Sequence, residues 1–309
     1  LTPVSIADHY PAFSNGASVD QPVRIAGTPR MTAAPVTAPA HAPGADQAVA
    51  KAFVTARLNA AAVPGFPGEV PQTIARSYAI QSAAIAQYPD RVAGWKVGGV
   101  SPDQQATLGV HRVAGAIFAG NVWAAGDAPT PLPAIEGGFA AVEAEFIARI
   151  GADADPAKID WTIDEAAALI DAVFIGVELA GSPLSAINDL GSAVVASDFG
   201  NNGGLVIGPE LTDWRARLDD IVVETVIDGE SVGTGGATSL AGGALESVRF
   251  LLEHCARWGR PLAAGTLVST GAVTGVHRVF AGSVSTCVFQ GVGEIRCVIV
   301  PAAPHPSQG

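Results

Sequence analysis

Ala141-Val-Glu-Ala-Glu-Phe-Ile-Ala-Arg-Ile150 alternates small or apolar residues with two carboxylates placed two positions apart. Read as a β-strand, the period of two sets Glu143 and Glu145 on one face and Val142, Ala144 and Phe146 on the other. Cα atoms two apart in a strand are ~6.6 Å apart, a gap that two long carboxylates can close onto one hard cation. A further acid, Glu178, stands inside the apolar run Ala172-Val-Phe-Ile-Gly-Val-Glu-Leu-Ala180, where its burial is costly unless it is paired or metal-bound. The competing reading puts Glu143 and Glu145 on a solvated strand face, with Glu178 ending a helix or meeting an arginine.

The chain around this stretch has 309 residues, enough for one large domain or two small ones. Hydrophobic residues make up 49% and charged residues 15%, so a sizeable core is available. With 36 glycines and 22 prolines, the chain favours a β-rich or mixed fold over a helical bundle. The formal charge is −12 and the lysines are Lys51, Lys96 and Lys158. No basic cluster can track a phosphate backbone or an anionic membrane surface, so neither nucleic acid nor membrane is expected as a partner. Cys255, Cys287 and Cys297 are odd in number and widely spaced, which fits buried, reduced thiols in a cytoplasmic protein. No run of 18 apolar residues occurs.

The boundaries read as a tail over 1–45, a single catalytic domain over 46–302 that includes N-terminal helices, and a C-terminal tail over 303–309, with fraying from Pro301. Three prolines between 31 and 44 exclude a helix interior there. Met31, the single methionine, suggests a native start preceded by residues added for expression; the alternative is an arm that packs on a partner subunit. From Asp46 the spacing of Val49, Phe53, Val54 and Leu58 predicts a helix, and a second is expected over 72–87 after Pro71. Together they suggest a lid or buttress for the sheet.

Val92-Ala-Gly-Trp-Lys-Val-Gly-Gly99 reads as a short strand in which Lys96 is an isolated charge. It is either a lysine snorkelling from a strand end or a cation facing an acid. Residues 102–108 suit a short helix, and the Pro-rich segment 129–133 precedes the carboxylate strand. Thr162 and Glu165 have capping-box spacing, predicting a helix to about Asp171, with a buried strand over 172–179. Asp198 lies in the polar loop Ser197-Asp-Phe-Gly-Asn-Asn-Gly-Gly204, which suits a ligand site or an ordinary turn equally. Asp228-Gly229 marks a hairpin, and Leu245 to Cys255 the longest helix. The pentapeptide Gly109-Val-His-Arg-Val113 recurs at 275–279, but His111 and His277 lack ligand-like neighbours and read as hydrogen-bonded loop residues. Neither a dinucleotide fingerprint nor a serine elbow is present.

In order, Gly94-Trp-Lys-Val-Gly98, Val142-Glu-Ala-Glu145, Val177-Glu-Leu179, Val195-Ala-Ser-Asp198, Gly265-Thr-Leu-Val-Ser-Thr-Gly271 and Gly291-Val-Gly293 span roughly residues 46–300. This set resembles the 2-keto-4-pentenoate hydratase and 2-oxo-3-hexenedioate decarboxylase branch of the fumarylacetoacetate hydrolase superfamily. The resemblance implies a mixed α+β fold, a distorted β-roll with flanking helices. It implies Mg²⁺ or Mn²⁺ held by Glu143, Glu145 and Glu178, with Lys96 as the catalytic residue and Lys96, Asp198 and Thr270 around the substrate. The implied substrate is a small 2-oxo or 2-hydroxy carboxylic acid, the reaction hydration of a 2-hydroxydienoic acid, and the assembly a homo-oligomer. Decarboxylation of a 2-oxo-enedioate and a non-enzymatic relative are the alternatives. Three departures bear on this: the stretch 112–116 lacks an acidic residue common in the branch, Gly99-Val100 stands where a bulkier residue and a hydroxyl are common, and Phe199 stands where asparagine is usual.

Overall fold

The computed structural model describes residues 43–305, so the expected tail over 1–45, with Met31 in it, lies outside the described residues except at its end. α1 (Pro43–Leu58) opens ahead of Asp46 on Pro43, whose fixed φ suits a first helical turn. α2 (Ile74–Gln87) is capped by Thr73, whose hydroxyl accepts from the Arg76 N–H. β1 (Val92–Gly99), α3 (Pro102–Leu108) and β2 (Arg112–Phe118) follow, with β1 and β2 antiparallel. The two long helices act as a buttress: Tyr78 Oη accepts from the Ala114 N–H of β2 at 2.8 Å, and Gln81 Nε2 donates to Ala114 O at 3.0 Å.

β3 (Val122–Ala124) is followed by β4 (Thr130–Ala134), a strand within the proline-rich stretch. Pro131 and Pro133 are tolerated because β4 is the edge of its sheet, where a missing N–H breaks no ladder. β5 (Phe139–Ile150) carries the opening stretch. α4 (Ile163–Ala168) has the expected capping box, but it stops short of Asp171 because β6 (Ile170–Ser182) pairs with β5 from Ile170 onward. α5 (Ser192–Ser197) turns through Phe199, Gly200 and Asn201, all at positive φ, into β7 (Asn202–Glu210).

α6 (Trp214–Arg217) precedes the hairpin of β8 (Val223–Ile227) and β9 (Glu230–Gly235), turned at Asp228-Gly229. α7 (Gly243–Arg257), β10 (Leu267–Ser269), β11 (His277–Arg278), β12 (Val284–Phe289) and β13 (Gly293–Pro301) complete the order. The expected fraying from Pro301 does not begin there. Pro301 is in β13, the Ala302 N–H donates to Ala134 O and the His305 N–H to Leu58 O.

Two curled sheets make the body. The larger runs β2-β1-β10-β5-β6-β7-β3, with β11 pairing on β5, and the smaller runs β4-β13-β12-β8-β9. β5 and β6 lie near the middle of the larger sheet and are buried on both faces. Val142, Ala144, Phe146 and Glu145 are all at 0% exposure and Glu143 is at 5%. The solvated-face reading of the two glutamates therefore does not hold, because this sheet has protein on both sides.

Candidate metal centre and its pocket

Glu143 on β5 sits directly opposite Glu178 on β6, and Glu145 follows two residues on. Residues opposed across antiparallel strands share a face, as do residues two apart along one strand. The register therefore gathers all three acids on one side. One carboxylate oxygen from each lies within 4.8 Å of the others.

The neighbours hold two of the three firmly. Glu145 Oε2 accepts from Ser269 Oγ at 2.5 Å and from the Gly271 N–H at 2.8 Å. Glu178 Oε1 accepts from Asn202 Nδ2 at 2.9 Å. Lys96, on β1 two strands from β5, has its Nζ 3.4 Å from Glu178 Oε2. Glu145 Oε1 and Glu178 Oε2 accept no hydrogen bond although both are buried.

The electrostatics point the same way. Burial pushes the Glu143 carboxyl up to about 7, against the pull of Lys96. Burial and then the negative neighbours Glu178 and Glu143 push Glu145 well above the usual carboxylate range. Burial opposes the charge on Lys96, but Glu178, Glu143 and Glu145 outweigh it and hold the ammonium above its ordinary pKa. One lysine cannot neutralise three buried acids. An all-oxygen donor set in which Glu145 Oε1 is unpartnered and Glu178 Oε2 meets only the Lys96 ammonium fits a hard divalent cation.

Glu143 and Lys96 face a cavity of about 660 Å³, walled also by Thr270, Asn201 and Arg112. Thr270 spends its hydroxyl on Phe146 O at 2.8 Å, so it shapes the wall while tying β5 to the segment after β10. Asp198 does not line this cavity. It is fully buried and clamped by Arg57, whose Nε and Nη2 reach its two oxygens at 2.7 and 2.9 Å, and by Ser182 Oγ at 2.6 Å. The same guanidinium donates to Asn202 O at 2.9 Å, so a chain of hydrogen bonds runs from Asp198 through Arg57 and Asn202 to Glu178. His111 and His277 are hydrogen-bonded, to Gln105 Oε1 and Thr274 O respectively.

Two of the departures have visible structural consequences. Phe199 packs edge-on against Tyr88 and Phe118 under the Arg57 guanidinium, away from the cavity. The 112–116 stretch forms β2 and brings Arg112, not an acid, to the cavity wall.

Residues 100–300 match the model of the fumarylacetoacetate (FAA) hydrolase C-terminal family. The chain belongs to that family. This member is 33% identical over 227 residues to the 2-keto-4-pentenoate hydratase of Paraburkholderia xenovorans, covering 71% of this chain and 81% of that one. It is 30% identical over 238 residues to the protein of the same name from Paraburkholderia phymatum, covering 71% and 84%. Among solved structures, the 4-oxalocrotonate decarboxylase of Pseudomonas putida complexed with calcium and acetate aligns with a TM-score of 0.73 at 22% identity, over 84% of this chain and 99% of that one. That likeness is one of fold. The mixed β architecture expected from the motifs is the architecture present.

Proposed function

We propose that this family member is a divalent-metal-dependent hydratase that adds water to a small 2-hydroxydienoic acid and yields a 4-hydroxy-2-oxo acid. The observation that carries the reading is the convergence of Glu143, Glu145 and Glu178 beside Lys96, with Glu143 and Lys96 lining a cavity. The identity to proteins named 2-keto-4-pentenoate hydratase supports it.

Glu143, Glu145 and Glu178 would hold Mg²⁺ or Mn²⁺. When bound, such an ion supplies a Lewis acid that chelates an α-oxo acid and polarises its C2 oxygen. Three carboxylates, a divalent ion and the Lys96 ammonium sum to zero charge, so an anionic acid enters a site that does not repel it. Lys96 lies where it can pair with the C1 carboxylate or pass a proton to the substrate. Thr270 and the surrounding wall keep the acid oriented. Asp198 acts as a positioning residue through Arg57 and Asn202.

Purified protein with Mg²⁺ or Mn²⁺ is expected to consume 2-hydroxypenta-2,4-dienoate, read by the loss of dienol ultraviolet absorbance. Glu145→Gln and Glu178→Gln should bind the metal too weakly to saturate and lose turnover by about 100-fold or more. A wild-type protein inert to the dienol with either metal ends the proposal. Decarboxylation of a 2-oxo-enedioate is the second reading, favoured by Arg112 on the cavity wall. Release of CO₂ from 2-oxo-3-hexenedioate without hydration of the dienol would select it. Light scattering tests the proposed homo-oligomer; a monomer at micromolar concentration rejects it.

A further inference from the structure

Asn201 belongs to the same cavity wall as Lys96 and Glu143, and the proposed reaction leaves it without a task. The residue is 3% exposed. Its Nδ2 donates to Asn188 Oδ1 at 3.3 Å, and its Oδ1 has no hydrogen-bond partner. Leaving a buried acceptor unpaired costs about 1–3 kcal/mol. An acceptor retained at that cost in a cavity wall suits a ligand that brings the missing donor.

The backbone fixes the amide in place. Phe199, Gly200 and Asn201 have φ of 51°, 63° and 67° in succession, a left-handed turn in which asparagine is tolerated better than most residues. Gly200 rests so close to the strand beneath it that a Cβ would stand 2.9 Å from Gly115 Cα and 3.0 Å from Lys96 Cδ. Asn201 therefore follows directly on the residue that touches the Lys96 stem.

We propose that Asn201 positions the oxygen that enters at C4: its Oδ1 accepts a hydrogen bond from the adding water and then from the C4 hydroxyl of the product. This rests on the hydratase reading and deepens it. The dienol first ketonises, losing its C2 hydroxyl proton and gaining one at C5, which leaves the double bond at C3=C4. A water lone pair then forms the C4–O bond, the C3=C4 π pair takes a proton at C3, and one water proton returns to solvent, so one H₂O is consumed. The amide neither gives nor takes a proton. It restricts the direction from which the water approaches.

The test is calorimetric titration of the Mg²⁺-loaded protein with 4-hydroxy-2-oxopentanoate and with 2-oxopentanoate, which differ only in the C4 hydroxyl. Asn201→Gly removes the amide where glycine adopts the left-handed φ freely. It is expected to bind the hydroxy acid about tenfold more weakly, the loss of one hydrogen bond to a buried acceptor, with 2-oxopentanoate unchanged. Asn201→Asp keeps an acceptor and tolerates the same turn, so it should retain the preference for the hydroxy acid. Equal weakening of both acids in Asn201→Gly, no weakening of either, or loss of the preference in Asn201→Asp overturns the role of Asn201. Failure of the wild-type protein to bind either acid instead overturns the hydratase reading on which that role depends.

Discussion

Asn202 links the buried ion pair of Arg57 and Asp198 to the carboxylate of Glu178, its carbonyl oxygen facing the guanidinium and its Nδ2 the acid. Partners that orient a metal-binding carboxylate typically change metal affinity by about 10–100-fold when removed. Asn202→Ala is therefore expected to weaken Mn²⁺ binding within that range, read by titration of the bound ion, while Glu143 and Glu145 keep their places. Unchanged Mn²⁺ affinity would show that Glu178 needs no such support. The acids themselves stood out in the sequence because a charge inside an apolar strand run has few stable explanations. Their supports did not. Ser269 reaches Glu145 across 124 residues and Arg57 reaches Asp198 across 141, and no local pattern encodes either contact. Asp198, read beside the substrate, is absent from the cavity lining and is tied instead to Arg57 on α1, a contact equally remote in sequence.

At the scale of elements, local chemistry set what could be read. The capping box of Thr162 and Glu165, the Asp228-Gly229 hairpin and the spacing of α7 each depend on neighbours a few residues away. The end of α4 and the strand β4 depend on pairing with distant strands, which overrides helix propensity in one case and proline bias in the other. The approach of β2 to the turn before β7 is similarly non-local, and glycine makes it possible. A Cβ on Gly115 would stand 1.9 Å from Phe199 O and 2.5 Å from Gly200 N, both backbone atoms with little freedom to move. Gly115→Ala is thus expected to push the turn away from Lys96 and destabilise the fold by about 1–3 kcal/mol, as overpacking of a close contact does. A fall in the urea midpoint with an unchanged m-value would report it. Wild-type stability in Gly115→Ala would mean the turn and β2 are not in close contact.

Across the whole molecule, a helix packed against the buttress carries an ionisable group that favours neutral pH. His254 on α7 is tilted against the Tyr78 ring of α2 at 4.4 Å and stacked with Phe250 at 5.4 Å. Burial, then the positive charges of Arg257 and Arg260, push its pKa down from 6.5 to about 3. The unfolded chain therefore binds a proton at pH values where the folded chain does not. The neutral ring's contribution is whole above pH 6.5, declines as pH falls below that value and is lost through pH 3. The full slope would be about 1.4 kcal/mol per pH unit, and partial exposure of the ring brings it below that limit. His254→Phe keeps an aromatic ring against Tyr78 and removes the titration. Urea unfolding of both proteins between pH 7 and pH 4 should show the wild type losing stability faster than the variant, because the carboxylates they share cancel in the difference. Parallel curves over that range would mean that His254 titrates normally in the folded protein and that its packing against α2 does not exclude the proton.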